Sequence, residues 1–329
     1  MEMGSESTAK NGSTLDPVFS LIVPIFRSAE NIADLILAIN AFVSKIPVKC
    51  EVIFVDDGSP DKSGQLLLEA QGYISCSTKI VFHSRNFGSF TAIRTGLEFA
   101  TGQFFAAMAA DLQEPPELLI SFFEILSRNE ADVVFGERQG RNEPVARKIT
   151  SNIFWWLYRK IVMAEIPRGG VDIFACNRDV RDTVLSIEEP NSSLIAQLFW
   201  VGYRRSFVPY VRRERQRGKS AWSFARRLRY MMDSIFSFTD APIVAVLWAG
   251  AFGVACSAIL GFVTFFARIF GYIEEPGYAG IILVNIFFGS TSLLIQGIIG
   301  SYLWRTFENT KRRPLRIVAR VISSLHCDD

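Results

Sequence analysis

Up to about residue 240 the chain alternates short apolar runs with stretches in which apolar positions recur every three or four residues. Beyond that point it is apolar with few interruptions. The runs 19–25, 50–55, 79–83, 103–110 and 131–136 are short and continuously apolar, and read as strands buried on both faces. Between them, 31–43, 63–71, 90–100 and 116–128 carry helical periodicity. Strict alternation of strand and helix predicts an α/β domain with a doubly wound, mostly parallel sheet. After Gly136 the pattern loosens: 149–161 and 180–185 read as helices, 192–202 as an amphipathic helix and 203–211 as a strand.

The later apolar stretches 242–266 and 278–304 each reach membrane-spanning length, since a hydrocarbon core of roughly 30 Å takes about 20 residues of helix. Ahead of them, 222–238 mixes Arg with Trp, Phe, Tyr and Met at helical spacing, which suits a helix lying in the membrane interface with its cations toward lipid phosphates. Arg226, Arg227 and Arg229 precede the first stretch; Lys311, Arg312, Arg313, Arg316 and Arg320 follow the second. The loop between them sets Arg268 against Glu274 and Glu275. Positive charge concentrates on the cytoplasmic side, so the pattern predicts a two-helix transmembrane hairpin with the N-terminal part and the C-terminal tail both in the cytoplasm. The expected organisation is a disordered leader at 1–16, an α/β domain at 17–211, a basic loop and interfacial helix at 212–241, the hairpin at 242–304 and a basic tail at 305–329.

Charge is nearly balanced, 35 Lys and Arg against 33 Asp and Glu, so the whole chain carries no nucleic-acid signal. The leader is polar without an apolar centre and does not read as a secretory signal. Five cysteines, Cys50, Cys76, Cys176, Cys256 and Cys327, show no paired metal spacing and fit reduced thiols on a cytosolic face. His83 and His326 are the only histidines, too little material for a Ser/His/Asp hydrolase or a His-based zinc site. There is no Gly-x-Gly-x-x-Gly, and Gly218-Lys219-Ser220 lacks the upstream Gly of a phosphate loop, which argues against a dinucleotide-dependent redox enzyme and an NTPase.

Candidate chemistry gathers at strand ends. The run to Ala110 delivers Asp111-Leu112-Gln113 into Glu114-Pro115-Pro116, where the prolines stop the strand. Asp111 and Gln113, two apart, would share a face at a carboxyl strand end, the edge at which α/β sheets bind ligands. Such a hard oxygen pair suits Mg2+ or Mn2+, which keep waters and take phosphate oxygens; the alternative is a polar strand end entering a turn. Asp56-Asp57-Gly58-Ser59 follows the second strand, where a carboxylate can reach base or ribose donors or close an Asx turn. Pro24 ends the first strand, and Glu30 behind it is either a ligand group or a helix-start charge.

Taken together in order and spacing, Val23-Pro24 with Glu30-Asn31, Asp56-Asp57-Gly58-Ser59, Ser84-Arg85-Asn86-Phe87-Gly88 with Gly96, Asp111-Leu112-Gln113 with Pro115-Pro116, and Arg217-Gly218-Lys219-Ser220 resemble the inverting family 2 glycosyltransferases of GT-A fold. The likeness is to the polyprenyl-phosphate branch, which includes dolichyl-phosphate mannose synthases and bacterial undecaprenyl-phosphate glucosyltransferases, and the two apolar stretches favour the bacterial type. The resemblance implies that Pro24, Glu30, Asp56, Asp57, Asn86 and Asp111 bind the nucleotide sugar, and that Asp111 with Gln113 holds Mg2+ or Mn2+ on its diphosphate. Three departures stand out: Ala109 replaces the first acid of the usual Asp-x-Asp-Leu-Gln, Ala221 follows Gly-x-Ser where a polar residue is common, and Ser89 stands where Lys often follows Asn-Phe-Gly.

Asp111 and Asp172, the latter in Gly169-Gly170-Val171-Asp172, are the candidate catalytic residues; Asp172 would position acceptor or sugar, or is a loop carboxylate. Arg138, Arg141, Arg147, Arg212, Arg217, Lys219 and Ser220 are candidates for the acceptor phosphate, because guanidinium matches phosphate bidentately; the alternative is that most face anionic headgroups. The expected activity is transfer of a hexose, glucose from UDP-glucose, to undecaprenyl phosphate in the cytoplasmic leaflet, by an enzyme partnered with the bilayer and assembled as a homo-oligomer. The rivals are a GDP-mannose-dependent dolichyl-phosphate enzyme and, with Ala109 as its motive, a non-catalytic lipid-binding scaffold.

Overall fold

A computed structural model describes residues 18–139, 156, 158–160, 162–167, 170–189, 192–213, 224–270 and 278–324. Eight strands form one sheet: β1 Phe19–Ile25, β2 Cys50–Asp56, β3 Ser77–His83, β4 Phe104–Ala107, β5 Val133–Arg138, β6 Phe174–Asn177, β7 Arg205–Tyr210 and β8 Val318–Ser324. Their order is β7-β5-β6-β4-β1-β2-β3-β8. The helices are α1 Ile32–Val43, α2 Ser63–Ala70, α3 Ser89–Phe99, α4 Leu118–Ser127, α5 Arg178–Ser186, α6 Leu194–Trp200, α7 Phe224–Phe238, α8 Ala241–Ile269 and α9 Tyr278–Thr310. The helix expected at 149–161 falls mostly outside the described residues.

β1 and β2 are central, and nearly every side chain on them is buried, as their unbroken apolar sequence requires. One face packs on α1 and α4 through Leu35, Ile39, Phe42, Leu119 and Phe122, with Phe19 edge-on to Phe123. The other packs on α3, α5 and α6 through Ile22, Phe105, Phe135, Phe174 and Phe199. Helix α3 lies close to β1 because Gly96 has no side chain: a Cβ there would stand 2.3 Å from Ile22 Cγ2. At the amino ends of the central strands a buried polar group is fully used. Glu51 accepts from Ser20 Oγ at 2.7 Å, Lys79 Nζ at 2.9 Å and Thr101 N at 2.6 Å. Burial alone would raise its pKa, but these donors outweigh burial and hold it below the ordinary carboxylate range.

The sheet departs from expectation in three places. The sheet is mixed, with six strands in one direction and β6 and β8 reversed: β1–β2, β1–β4, β2–β3 and β5–β7 are parallel, while β3–β8, β4–β6 and β5–β6 are antiparallel. Antiparallel β6 sits between β4 and β5, and part of the stretch read as a basic tail, 318–324, is strand β8 on the β3 edge. Strand β4 also ends at Ala107, three residues earlier than its apolar run, although Met108 N still donates to Ile22 O at 3.0 Å.

The stretches 242–266 and 278–304 are helical throughout, inside α8 and α9. Counted over the described residues, no single helix is long and apolar enough to cross a membrane, whereas the pair Met231–Phe238 and Ala241–Gly253, bent by 78°, is. Large apolar side chains such as Leu247, Trp248, Phe252, Ile259, Phe262, Phe287 and Leu293 stand exposed along these helices.

Candidate active site

Strands β4, β1, β2 and β3 run parallel, so their carboxyl ends share one edge of the sheet. Both pairings of β6 are antiparallel, so its amino end comes to that same edge, along with the carboxyl ends of β5 and β7. Topology alone thus gathers Asp56, Asp57, Asp111, Arg138, Asp172 and Tyr210 on one side, with Arg212 just beyond β7.

The half of the edge built by β1, β2 and β3 is a rim of three interlocked loops. Arg27 N donates to Ser59 Oγ at 3.2 Å, Ser28 N to Ser63 Oγ at 2.9 Å and Ala29 N to Asp61 Oδ2 at 3.3 Å, which fastens the loop after β1 to the one after β2. Gly58, at φ +64°, lies against the Arg85–Asn86 backbone, where a Cβ would meet Arg85 C at 2.5 Å. Asp57 is buried and commits both oxygens to protein donors. Phe87 N and His83 Nδ1 reach Oδ1, and Gly88 N reaches Oδ2, each at 2.8 Å. A carboxylate only accepts, so His83 Nδ1 carries the proton of that bond; its Nε2 contacts Thr95 Oγ1 at 2.9 Å. Asp57 therefore shapes the loop that carries Asn86. Asp56 is also buried and accepts from Ser59 N at 3.0 Å; burial raises its pKa. The missing side chain of Gly64 makes room for its other oxygen, 2.6 Å from where a Cβ would be. Pro24 lies in β1 beside Val55, and Glu30 and Asn86 are exposed on the rim.

The other half lies beyond β1 on the β4 side. Asp111 Oδ1 accepts from Gln113 N at 3.3 Å in a turn that puts Leu112 at φ +54°. Gln113 Oε1 accepts from Arg212 Nη2 at 2.7 Å. Asp172 Oδ2 is ion-paired with Arg138 Nη2, accepts from Tyr210 Oη at 3.2 Å and stands 3.7 Å from Arg212 Nη1. Glu114 is fully buried, and neither of its oxygens receives a hydrogen bond among the described residues. Burial pushes its pKa up, while Arg212, with Nε at 3.5 Å, pulls the other way.

Of the residues singled out from sequence, Asp111, Gln113, Asp172, Arg138 and Arg212 therefore meet in one cluster, and Pro24, Glu30, Asp56, Asp57 and Asn86 belong to the adjoining rim. Arg141, Arg147, Arg217, Lys219 and Ser220 lie outside the described residues. Glu114, Tyr210 and His83 were missed as site residues. A glutamate placed directly before Pro115-Pro116 was the available signal for Glu114, but it read as turn chemistry. Among the described residues no group of three or more His, Cys, Asp or Glu side chains could hold a metal. Asp111 and Gln113 offer two oxygen donors, which fits a cation whose other ligands are water and phosphate oxygens.

Residues 20–185 match Glycosyl transferase family 2, just over half of the chain. The chain belongs to this family. This family 2 glycosyltransferase is 30% identical over 303 residues to the uncharacterized glycosyltransferase YkcC of Bacillus subtilis, covering 92% of the chain and 93% of the relative. It is 28% identical to the prophage bactoprenol glucosyl transferase homolog of Escherichia coli, covering 92% and 98%. The bactoprenol glucosyl transferase of Shigella phage SfV is 27% identical, with coverage of 91% and 97%. Among solved structures, the mannosyltransferase PcManGT from Pyrobaculum calidifontis in complex with GDP-Man and Mn2+ is similar at 16% identity and a TM-score of 0.45, over 88% of each chain.

Proposed function

We propose that this glycosyltransferase moves glucose from UDP-glucose to the phosphate of undecaprenyl phosphate at the cytoplasmic leaflet, inverting the anomeric centre. The observation that carries this reading is the convergence of two guanidinium groups, Arg138 and Arg212, beside Asp111 and Gln113, at the same sheet edge as the Asp56–Asp57 rim. A phosphate acceptor needs cations, and a nucleotide donor needs a rim beside them. The relatives named bactoprenol glucosyl transferases, aligned over nearly their full lengths, support glucose and a polyprenyl carrier.

The acceptor phosphate, with a second pKa of about 6, is largely dianionic at neutral pH, so it attacks without a strong general base. One of its oxygens bonds to the anomeric carbon as the bond from that carbon to the UDP β-phosphate oxygen breaks, and UDP leaves from the opposite face. Asp172, gripped by Arg138 and Tyr210, then acts by orienting rather than by taking a proton. Asp111 and Gln113 would hold Mg2+ or Mn2+, which when bound neutralises charge on the diphosphate leaving group.

Membrane attachment is part of the same proposal. By length alone, 29 and 33 residues at about 1.5 Å per residue, helices α8 and α9 match a bilayer core, and the apolar side chains exposed along them favour a non-aqueous surrounding. The 78° bend between α7 and α8 lets the first lie in the interface while the second crosses. The test is incubation of full-length detergent-solubilised protein with Mn2+, undecaprenyl phosphate and, in turn, radiolabelled UDP-glucose, GDP-mannose and UDP-N-acetylglucosamine. Label in the lipid phase from UDP-glucose is expected; label only from GDP-mannose reassigns donor and sugar, and none from any of the three overturns the proposed reaction.

A further inference from the structure

Gln113 has a single side-chain oxygen, and in this structure it belongs to Arg212. Nη2 donates to Gln113 Oε1 at 2.7 Å, while Nε and Nη1 face Glu114 and Asp172 at 3.5 and 3.7 Å. The backbone around Arg212 is docked on the same residue: Arg213 N donates to Gln113 O at 2.9 Å, and Gln113 Nε2 donates to Arg213 O at 3.3 Å. The oxygen that a divalent cation would use is thus occupied by a guanidinium, and two cations cannot share it without strong repulsion. The same guanidinium is wanted by the acceptor phosphate.

We infer that Arg212 sets the order of substrate binding: in the donor-free enzyme it stands in for the metal at Gln113, and arrival of metal and nucleotide diphosphate releases it to hold the acceptor phosphate. This rests on the transferase reading above and adds a coupling between its two substrates. Glu114 supplies the return. It is sealed from water, its oxygens receive no hydrogen bond among the described residues, and Arg212 lies within ion-pair distance. Moving Arg212 away leaves a buried carboxylate poorly compensated, which draws the guanidinium back once products depart. A coupling of this kind is reciprocal, so nucleotide with metal must strengthen acceptor binding by the same factor by which acceptor strengthens theirs.

The test is titration calorimetry of full-length protein with UDP in the presence of Mn2+ and no acceptor, on wild type, Arg212→Ala and Glu114→Gln. Removing the competing guanidinium is expected to tighten UDP binding about tenfold, the worth of roughly one charge-assisted hydrogen bond. Glu114→Gln, which keeps the guanidinium but loosens its anchor, is expected to tighten it by a smaller factor. In wild type, undecaprenyl phosphate is expected to bind about tenfold more tightly with Mn2+ and UDP than alone, and Arg212→Ala to erase that difference. A merely structural Arg212 would weaken UDP binding when removed; unchanged or weaker binding in a folded Arg212→Ala overturns the inference. Should that variant not fold, unchanged or weaker binding in Glu114→Gln does the same. Failure of wild type to bind UDP at all removes the UDP-dependent reading on which the inference rests, a result separable from a wrong order.

Discussion

Replacing Asp57 with Asn separates two roles that the sequence leaves open, because the substitution keeps the shape of the side chain and changes only its hydrogen-bonding logic. Asp57 Oδ1 serves Phe87 N and His83 Nδ1, and Oδ2 serves Gly88 N, all at 2.8 Å in a buried site. The better placement of an asparagine keeps its oxygen toward Phe87 and His83 and aims its NH2 at the Gly88 N–H. One charge-assisted bond is then lost, about 1.5–3 kcal/mol, and two buried donors confront each other, about 1–3 kcal/mol more. Relief from burying a charge offsets part of this, leaving a net loss of about 2–4 kcal/mol. At roughly 2–4 °C per kcal/mol for a domain of this size, the melting midpoint should fall by roughly 5–15 °C. The assay is thermal unfolding by intrinsic fluorescence, with UDP titration in Mn2+ alongside. A variant that melts within about 1 °C of wild type and loses only nucleotide affinity would refute the clamp and make Asp57 a direct nucleotide ligand.

Other consequences are equally open to measurement. Asp111→Asn should cut glucosyl transfer by at least about a hundredfold and abolish Mn2+-dependent strengthening of UDP binding without moving the melting midpoint; intact Mn2+ dependence would take Asp111 out of the metal role. Gly96→Ala forces a Cβ to within 2.3 Å of Ile22 Cγ2, so overpacking of about 1–3 kcal/mol should outweigh the better helix propensity, and urea denaturation should show a net loss. Asp132 is held below the ordinary carboxylate range chiefly by hydrogen bonds from Arg204, so it contributes stability that is present above its unfolded pKa of about 3.9 and lost as pH falls through the depressed folded value. Asp132→Asn should therefore lower the melting midpoint at pH 7, and the gap to wild type should narrow below about pH 4. Truncation after Arg316 uncovers the β3 edge, and light scattering should report earlier aggregation together with a melting midpoint lower by more than about 5 °C.

What could be read in the sequence was whatever is local in the chain. Strand β1 has the predicted bounds and β2 differs by one residue, because a run buried on both faces leaves an unbroken apolar signature. Strand β6 escaped notice because Phe174–Asn177 is four residues long and pairs with neighbours distant in sequence. Strand β8 hid because Val318–Ser324 is half exposed and carries Arg320, so it read as a charged tail. At the site, Asp111 and Gln113 were legible from spacing. The bond between Gln113 and Arg212 spans 99 residues, and no local pattern encodes a partner at that distance. The occupation of Asp57 by Phe87, Gly88 and His83 was hidden for the same reason, since those contacts span 26 to 31 residues.

Strands β7 and β8 occupy opposite edges of the sheet, and the whole of α7, α8 and α9 lies between them in the chain. At about 4.8 Å per strand, the two attachment points stand roughly 34 Å apart. The helical segment is therefore moored to the sheet twice, like a bucket handle, rather than hanging from a single tether. Two attachments restrict how far the sheet can turn relative to the helices more than one would. A single proteolytic nick between β7 and α7 would leave the two parts still joined through β8.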